Sequence, residues 1–335
     1  MRKRDVLAAG GAAAALGVYT WRRFARALDL RGKVVMVTGG SRGLGLAIAR
    51  ELADRGAKLV VCARTAEDLV WAKQDLEQRG ATVLALPCDV SDANAVTQLV
   101  AKARLEIGPI DALVNNAGVI KVGPIDSMTR ADFEEVMAVN FWGTVNATMA
   151  VLPSMRLRGG GRIVNITSIG GEIAVPHMLA YDCAKFATVG FSEGLRAELL
   201  RDHVLVTTIV PGLMRTGSAV NATFKGDAAK EARLFAAADA TALTAMSARR
   251  AARRIVRALE HGEAFVTLSW QARLARIAHA LFPGLTADLL GVINRALPEG
   301  DGRHDSVPGR EALPGRGFVR SLLSRSEAAF NQNPA

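Results

Sequence analysis

Two tyrosines, three cysteines and five histidines are all that 335 residues offer of these chemically versatile side chains. Cys62, Cys88 and Cys183 have neither metal-ligand spacing nor the even count of a disulfide framework. That excludes a thiol-stapled scaffold, fits a reducing compartment and leaves the three as small hydrophobes without redox work. Aromatic residues make up 5% of the chain, and no basic block is interleaved with them. The net charge of +10 therefore does not mark a nucleic-acid surface. Six basic residues, Arg2, Lys3, Arg4, Arg22, Arg23 and Arg26, stand against Asp5 alone in residues 1–28. Much of the excess thus sits in one short segment, where it suits a negatively charged membrane surface. No internal repeat is present.

Residues 6–21 form a sixteen-residue apolar stretch rich in Ala and Gly, shorter than the ~20 residues of a spanning helix. Ala25-Arg26-Ala27 resembles a signal-peptide cleavage site, but arginines directly after the apolar run oppose cleavage. A short anchor or interfacial helix pinned by basic flanks fits best. Both flanks are basic, so charge gives no orientation.

From Lys33 onward, short β-branched runs alternate with helical stretches. Residues 34–37, 58–62, 82–86, 112–114, 162–166 and 204–210 read as strands that are hydrophobic on both faces. Helices are expected over 44–54, 66–78, 94–106 and 130–156, and a further one bearing Tyr181 and Lys185 runs to about 201. This pattern predicts a parallel sheet covered on both sides, a doubly wound α/β domain spanning 29–268. Residues 213–246 are Ala-rich and expected to lack strands, as a substrate-covering loop would. A helix over 248–260 and an edge strand over 265–268 close the domain. Residues 269–297 read as an amphipathic helix broken at Pro283-Gly284, packed on the domain, at a dimer interface or against a membrane. Residues 298–335 balance five acids against five arginines amid Gly and Pro and read as a mostly disordered tail.

Directly after the first strand, Thr38-Gly39-Gly40-Ser41-Arg42-Gly43-Leu44-Gly45 opens the first helix. Glycines there permit a tight turn and let backbone N–H groups meet a pyrophosphate at the positive end of a helix. The second strand ends Val61-Cys62-Ala63-Arg64, with no acid to hold the ribose 2′-hydroxyl of NAD. Arg42 and Arg64 instead match the geometry and charge of a 2′-phosphate, which predicts NADP. Asp89 and Val90, after the third strand, are expected beside the adenine.

Tyr181 stands four residues before Lys185 and thirteen after Ser168. Positions i and i+4 share one helix face, and an ammonium beside a phenol favours the phenolate. A phenol tuned this way exchanges a proton with a substrate oxygen. His177 is read as a surface or core histidine rather than a substrate contact.

Taken together, the Thr38–Gly45 loop, Asn115-Asn116-Ala117-Gly118, Asn140, Ser168, Tyr181, Lys185 and Pro211-Gly212 with Thr216 resemble the short-chain dehydrogenase/reductase family over residues 31–268. The resemblance implies hydride transfer through a nicotinamide, with Tyr181 as general acid or base and Ser168 on the substrate oxygen. It also implies that Lys185 lowers the Tyr181 pKa and binds the nicotinamide ribose. Asn140 would hold a water that connects Lys185 to solvent. Asn116, Ala117, Gly118, Pro211, Gly212 and Thr216 would line the cofactor, with Asn116 partly structural. About 30 residues in front of this region and nearly 70 behind it resemble membrane-associated members acting on retinoids, steroids or long-chain ketones.

The expectation is an NADP(H)-dependent oxidoreductase for a lipophilic carbonyl or alcohol, homo-oligomeric, on the cytoplasmic side of a membrane. A carrier-bound 3-oxoacyl thioester as substrate, and a non-catalytic dinucleotide sensor, remain as alternatives.

Overall fold

The computed structural model describes residues 27–240, 245–300, 302–313 and 329–330. The apolar segment with its basic flanks lies almost wholly outside the described residues. Seven strands, Val34–Thr38 (β1), Lys58–Ala63 (β2), Val83–Pro87 (β3), Ala112–Asn115 (β4), Gly161–Ile166 (β5), Val204–Val210 (β6) and Phe265–Thr267 (β7), form one parallel sheet. Their order across the sheet is β7-β6-β5-β4-β1-β2-β3. The direction of winding reverses between β1 and β4, and such a crevice, beyond the strands' carboxyl ends, is where open α/β sheets bind ligands.

Alternation along β1 shows why these runs are continuously apolar. Val35 and Val37 point into one core, with Leu46 and Leu52 of helix Gly43–Ala53 (α1), while Val34 and Met36 enter a second core on the other face. Helices Ala66–Glu77 (α2) and Ala93–Glu106 (α3) follow β2 and β3. After β4 come Arg130–Met137 (α4) and Gly143–Leu157 (α5), joined by a π turn over Ala138–Trp142. Leu179–Leu199 (α6) carries Tyr181 and Lys185 between β5 and β6.

One expectation is corrected. Residues 213–246 do contain strands. Met214–Arg215 pairs with Met246–Ser247, and Thr223–Phe224 pairs with Lys121–Val122. Helix Ala228–Ala240 (α7) completes this covering segment, and Ala248–His261 (α8) then packs along α1. Two-residue strands show no period in the sequence, which is why they escape a pattern-based reading. Of the tail read as mostly disordered, residues 298–300, 302–313 and 329–330 are described. Val307–Pro308 adds an antiparallel strand to Thr223–Phe224, and Leu313 is buried with Phe224 and Ala236. Phe330 packs into the first core beside α1. The expected amphipathic helix is present as Trp270–Leu281 (α9) and Pro283–Asn294 (α10), and a short helix, Gly309–Ala312 (α11), follows Val307–Pro308.

One buried ionic cluster joins the covering segment to the main domain. Asp132, in the first turn of α4, receives Lys121 Nζ on Oδ1 at 2.6 Å and Lys225 Nζ on Oδ2 at 2.5 Å. Its own helix adds the Thr129 N–H and hydroxyl. These donors outweigh its desolvation and hold the carboxyl far below the usual carboxylate range. The stability it supplies is therefore present above the ordinary carboxylate pKa and lost only in strong acid. Asp132→Ala takes the carboxylate from the buried Lys225 ammonium and leaves Lys121 with Glu135 alone, at 2.6 Å, which should cost about 3–5 kcal/mol in denaturant unfolding at pH 7. Replacing the exposed Glu134 should change stability by less than about 0.5 kcal/mol.

Candidate active site

The glycine-rich loop is shaped by steric need. Gly39 has φ +63°, and a Cβ there would lie 2.9 Å from the Ala117 backbone. A Cβ on Gly45 would come within 2.0 Å of the Gly39 carbonyl oxygen. Thr38 Oγ1 accepts the N–H groups of Asn116 and Ala117, and Asn116 Nδ2 donates to the carbonyls of Thr38 and Gly39. Asn116 thus fastens the loop after β4 to the loop after β1. The α1 N-cap residue, Arg42, is extended and makes no side-chain cap. A cradle that a single Cβ would fill, set at a helix N-terminus, fits the pyrophosphate of a dinucleotide.

Other expected cofactor residues gather around this cradle. Arg64 is exposed just beyond β2, while Ser41 and Leu44 are buried within the loop. Arg42 Nη1 lies 3.3 Å from the carboxylate of Asp68, whose side chain is buried in α2. Arg64 and Arg310 both act on Arg42 electrostatically, although burial is the larger reason its pKa is lowered. Asp68 and Arg310 were not anticipated from the sequence, because neither falls in a recognisable motif. A further surprise is the Gly43 N–H, which donates to the Phe330 carbonyl at 2.8 Å. Asp89 turns back on its own loop, accepting the Ser91 N–H and hydroxyl. Val90 is buried against Gly143, and the Asn146 amide holds the Val90 carbonyl.

At the other end of the crevice, a chain of buried polar groups crosses beneath the strand ends. Asn115 Nδ2 donates to Thr148 Oγ1 and Asn165 Oδ1, and Asn165 Nδ2 donates to Ser192 Oγ, which bonds Thr208 Oγ1. Above it, Lys185 Nζ donates to the Ile166 carbonyl at 3.0 Å and lies 5.6 Å from the centre of the Tyr181 ring. Burial alone lowers the Lys185 pKa to about 8. Gly118 must be glycine, since a Cβ would fall 2.5 Å from Asn140 Oδ1 and 3.8 Å from Lys185 Nζ.

Asn140 sits in the π turn, which π geometry often marks as functional. Its Oδ1 accepts the Val119 N–H and its Nδ2 donates to the Val119 carbonyl. The side-chain amide is therefore engaged with the loop after β4, and its backbone carbonyl accepts the hydroxyls of Thr144 and Thr188. Ser168 is half-buried and accepts the Gly170 N–H at 3.1 Å. Pro211 receives the Ile169 N–H on its carbonyl, which ties the ends of β5 and β6 together. Thr216 is buried two residues beyond the strand Met214–Arg215 begins. Gly212 is pressed against Ser269 and Ala272, at the start of α9.

Flanking groups set the frame. His177, with a left-handed φ of 66°, places Nδ1 2.5 Å from Glu231 Oε1 of α7. It is a buried clamp between the loop before α6 and the covering helix. Cys183 is exposed and free. Asp182, directly after Tyr181, is 1% exposed. Its Oδ2 accepts the Val175 N–H at 2.6 Å, and Oδ1, buried against Gly170, has no hydrogen-bond partner among the described residues. An acid inside Tyr-x-x-x-Lys was visible in the sequence but its burial was not.

Burial raises the Asp182 pKa to about 7, overcoming the opposing Val175 hydrogen bond. The folded state therefore holds this proton where the unfolded chain releases it. The stability that follows from protonation is full below about pH 4 and is lost as pH rises toward 7. Asp182→Asn should remove this slope. The stability of the wild type relative to the variant should fall on the order of 3 kcal/mol between pH 4 and 7, at about 1.4 kcal/mol per pKa unit. Urea unfolding of both proteins across that range measures it.

Comparison with known proteins bears on this arrangement. The sequence model of the short chain dehydrogenase family matches residues 33–225. A protein from Anopheles gambiae named dehydrogenase/reductase SDR family protein 7-like is 43% identical over 58% of this chain, and the match spans 63% of that protein. SadH of Mycobacterium tuberculosis, named as an oxidoreductase, is 36% identical over 77% of this chain and 95% of its own length. The crystal structure of a short chain dehydrogenase/reductase from Burkholderia phymatum in complex with NAD superposes with a TM-score of 0.68, at 25% identity, over 76% of this chain and 96% of its own. On these matches the chain belongs to the short-chain dehydrogenase/reductase family.

Proposed function

We propose that the protein is an NADP(H)-dependent oxidoreductase that interconverts a carbonyl and an alcohol on a lipophilic substrate. The observation that carries this reading is the buried Lys185 amine, held by one carbonyl and facing the Tyr181 ring. A binding module has no use for such a pair. When bound, the nicotinamide supplies or accepts the hydride. Tyr181 gives a proton to the carbonyl oxygen in reduction and takes one from the alcohol in oxidation. Ser168, fixed by the Gly170 N–H, hydrogen-bonds that oxygen as charge develops on it. Lys185 carries positive charge beside the phenol, and Asn140 keeps Val119 and the wall around Lys185 in place.

NADP rather than NAD is supported by Arg42 and Arg64 at the adenosine end, with no acid closing β2. Asp68 supports it less, because its carboxylate partly occupies Arg42. A lipophilic substrate is supported by the Ala-rich covering segment and by the apolar surface of α9 and α10. We take the working form to be a homo-oligomer, since Trp142, Met149 and Phe186 are exposed on neighbouring helices. A cytoplasmic membrane surface is the proposed location. Its basis is the charged apolar segment 1–28, which lies almost wholly outside the described residues. A 3-oxoacyl thioester would fit the same chemistry, and the assay below distinguishes it.

NADPH and NADH consumption should be measured against retinal, steroid ketones, medium-chain ketones and a 3-oxoacyl thioester. Tyr181→Phe should lower kcat at least about 100-fold for the accepted substrate, as loss of a general acid does. Full activity in that variant would overturn the mechanism. Arg42→Ala with Arg64→Ala should shift kcat/KM at least about tenfold from NADPH toward NADH, the equivalent of ~1.4 kcal/mol of phosphate pairing. An unchanged ratio would reject the assignment of these residues.

A further inference from the structure

Helix α10 buries none of its residues, although Leu285, Leu289, Val292 and Ile293 are among them. Leu285 is 69% exposed and Leu289 57% exposed. Helix α9, joined to it at Phe282-Pro283, buries only Ala272 and exposes Trp270, Leu274 and Leu281. A helix that is apolar on most sides and, among the described residues, leaves every side chain at least partly exposed calls for a partner. At about 1.5 Å per residue, either helix is roughly 18 Å long, well short of the ~30 Å needed to cross a bilayer. Among the described residues, no helix is long and apolar enough to cross a membrane. Such a pair can lie in a lipid interface but cannot span it.

Charge decides between a lipid surface and a second copy of the chain. Over α9, α10 and the residue that follows, Arg273, Arg276 and Arg295 stand against the single acid Asp288. Lys230 and Arg233 of α7 border the far end of the pair, beside Ala296 and Leu297. A two-fold interface would set this basic rim close to its own copy, where like charges repel. Acidic lipid headgroups would neutralise it.

The pair also sits at the site. Ser269, which caps α9 through the Ala272 N–H, lies against Gly212, and Arg276 reaches Glu172 just beyond Ser168 at 3.7 Å. Arg276 is further held over the Phe265 ring at 4.9 Å. Both walls that receive α9 are therefore continuous with the residues proposed to meet substrate.

We propose that α9 and α10 form a docking surface for a membrane containing acidic phospholipid, which they enter from the side with their apolar faces. The crevice between the Ser168 loop and Pro211-Gly212 then opens beside the acyl region, so that a lipophilic substrate passes from lipid to site without crossing bulk water. The route for the substrate rests on the function proposed above; the docking does not, and it is tested without cofactor or substrate.

The full chain carrying Leu285→Cys and Cys183→Ser should be labelled at position 285 with an environment-sensitive fluorophore; Cys62 and Cys88 are buried. Vesicles of phosphatidylcholine with about 30% phosphatidylserine should shift the emission to the blue, and doxyl-labelled acyl chains should quench it. Pure phosphatidylcholine should give a markedly smaller shift, and Arg273→Glu with Arg295→Glu should weaken binding to the acidic vesicles at least about tenfold, since each basic residue contributes about 1 kcal/mol at such a surface. No shift on acidic vesicles, while the protein cosediments with them through another segment, would overturn the proposal. A blue shift without lipid that grows with protein concentration would assign the surface to a second copy and overturn it equally. Activity on a soluble ketone in the same preparation reports on the enzymatic reading independently of either result.

Discussion

A single amine taken out of water governs the centre of this molecule. Lys185 is buried beneath Tyr181 with the Ile166 carbonyl as its hydrogen-bond acceptor, so every element that touches it is constrained. Its acceptor fixes the end of β5 against α6. Close by, the Asn140 amide bonds the N–H and the carbonyl of Val119, and its Oδ1 leaves no room for a Cβ at Gly118. Burying an ammonium without a carboxylate is costly and pushes it toward neutrality. Such a cost is characteristic of a functional position. The polar chain from Thr148 through Asn115, Asn165 and Ser192 to Thr208 spans the strands just beneath it, where it satisfies groups that would otherwise weaken the sheet interior.

The two ends of the crevice are built by different physics. At the adenosine end the backbone does the shaping, with glycines at 39 and 45 and side chains that fasten loop to loop. At the nicotinamide end side chains dominate, and each is held by a main-chain group: Ser168 by Gly170, Lys185 by Ile166, Asn140 by Val119. Main-chain groups at the ends of sheet strands move little, so they position side chains more reliably than another flexible side chain would.

Much of this was legible before the fold was known. Continuous apolar runs gave the seven strands to within a residue or two, because strands buried on both faces need them. The glycine loop and Tyr181-x-x-x-Lys185 were legible because their chemistry depends on local spacing. What escaped depends on distant pairing. Helical periodicity over 130–156 cannot reveal a π turn, whose extra residue shifts the phase between α4 and α5. The ion cluster of Lys121, Asp132 and Lys225 joins positions more than ninety residues apart. Phe330 against α1 is more remote still. The bonds of the Asn140 amide to Val119, twenty-one residues away, are likewise a distant pairing that the sequence does not display. The substrate-covering region was read as loop because its strands are two residues long and draw partners from three separate parts of the chain.

That last arrangement has a consequence for how the chain is made. The strand Thr223–Phe224 lies between Lys121–Val122 and Val307–Pro308, and Leu313 fills the small core beneath it. Every residue proposed for catalysis has left the ribosome long before position 307, and the sheet that carries them can close once β7 emerges. Its cover cannot be finished until the last thirty residues or so are being synthesised. A nascent chain therefore possesses its proposed catalytic residues before the segment around Thr223–Phe224 is complete, and a product stalled before position 307 would lack the strand Val307–Pro308 and the Leu313 side chain of that small core.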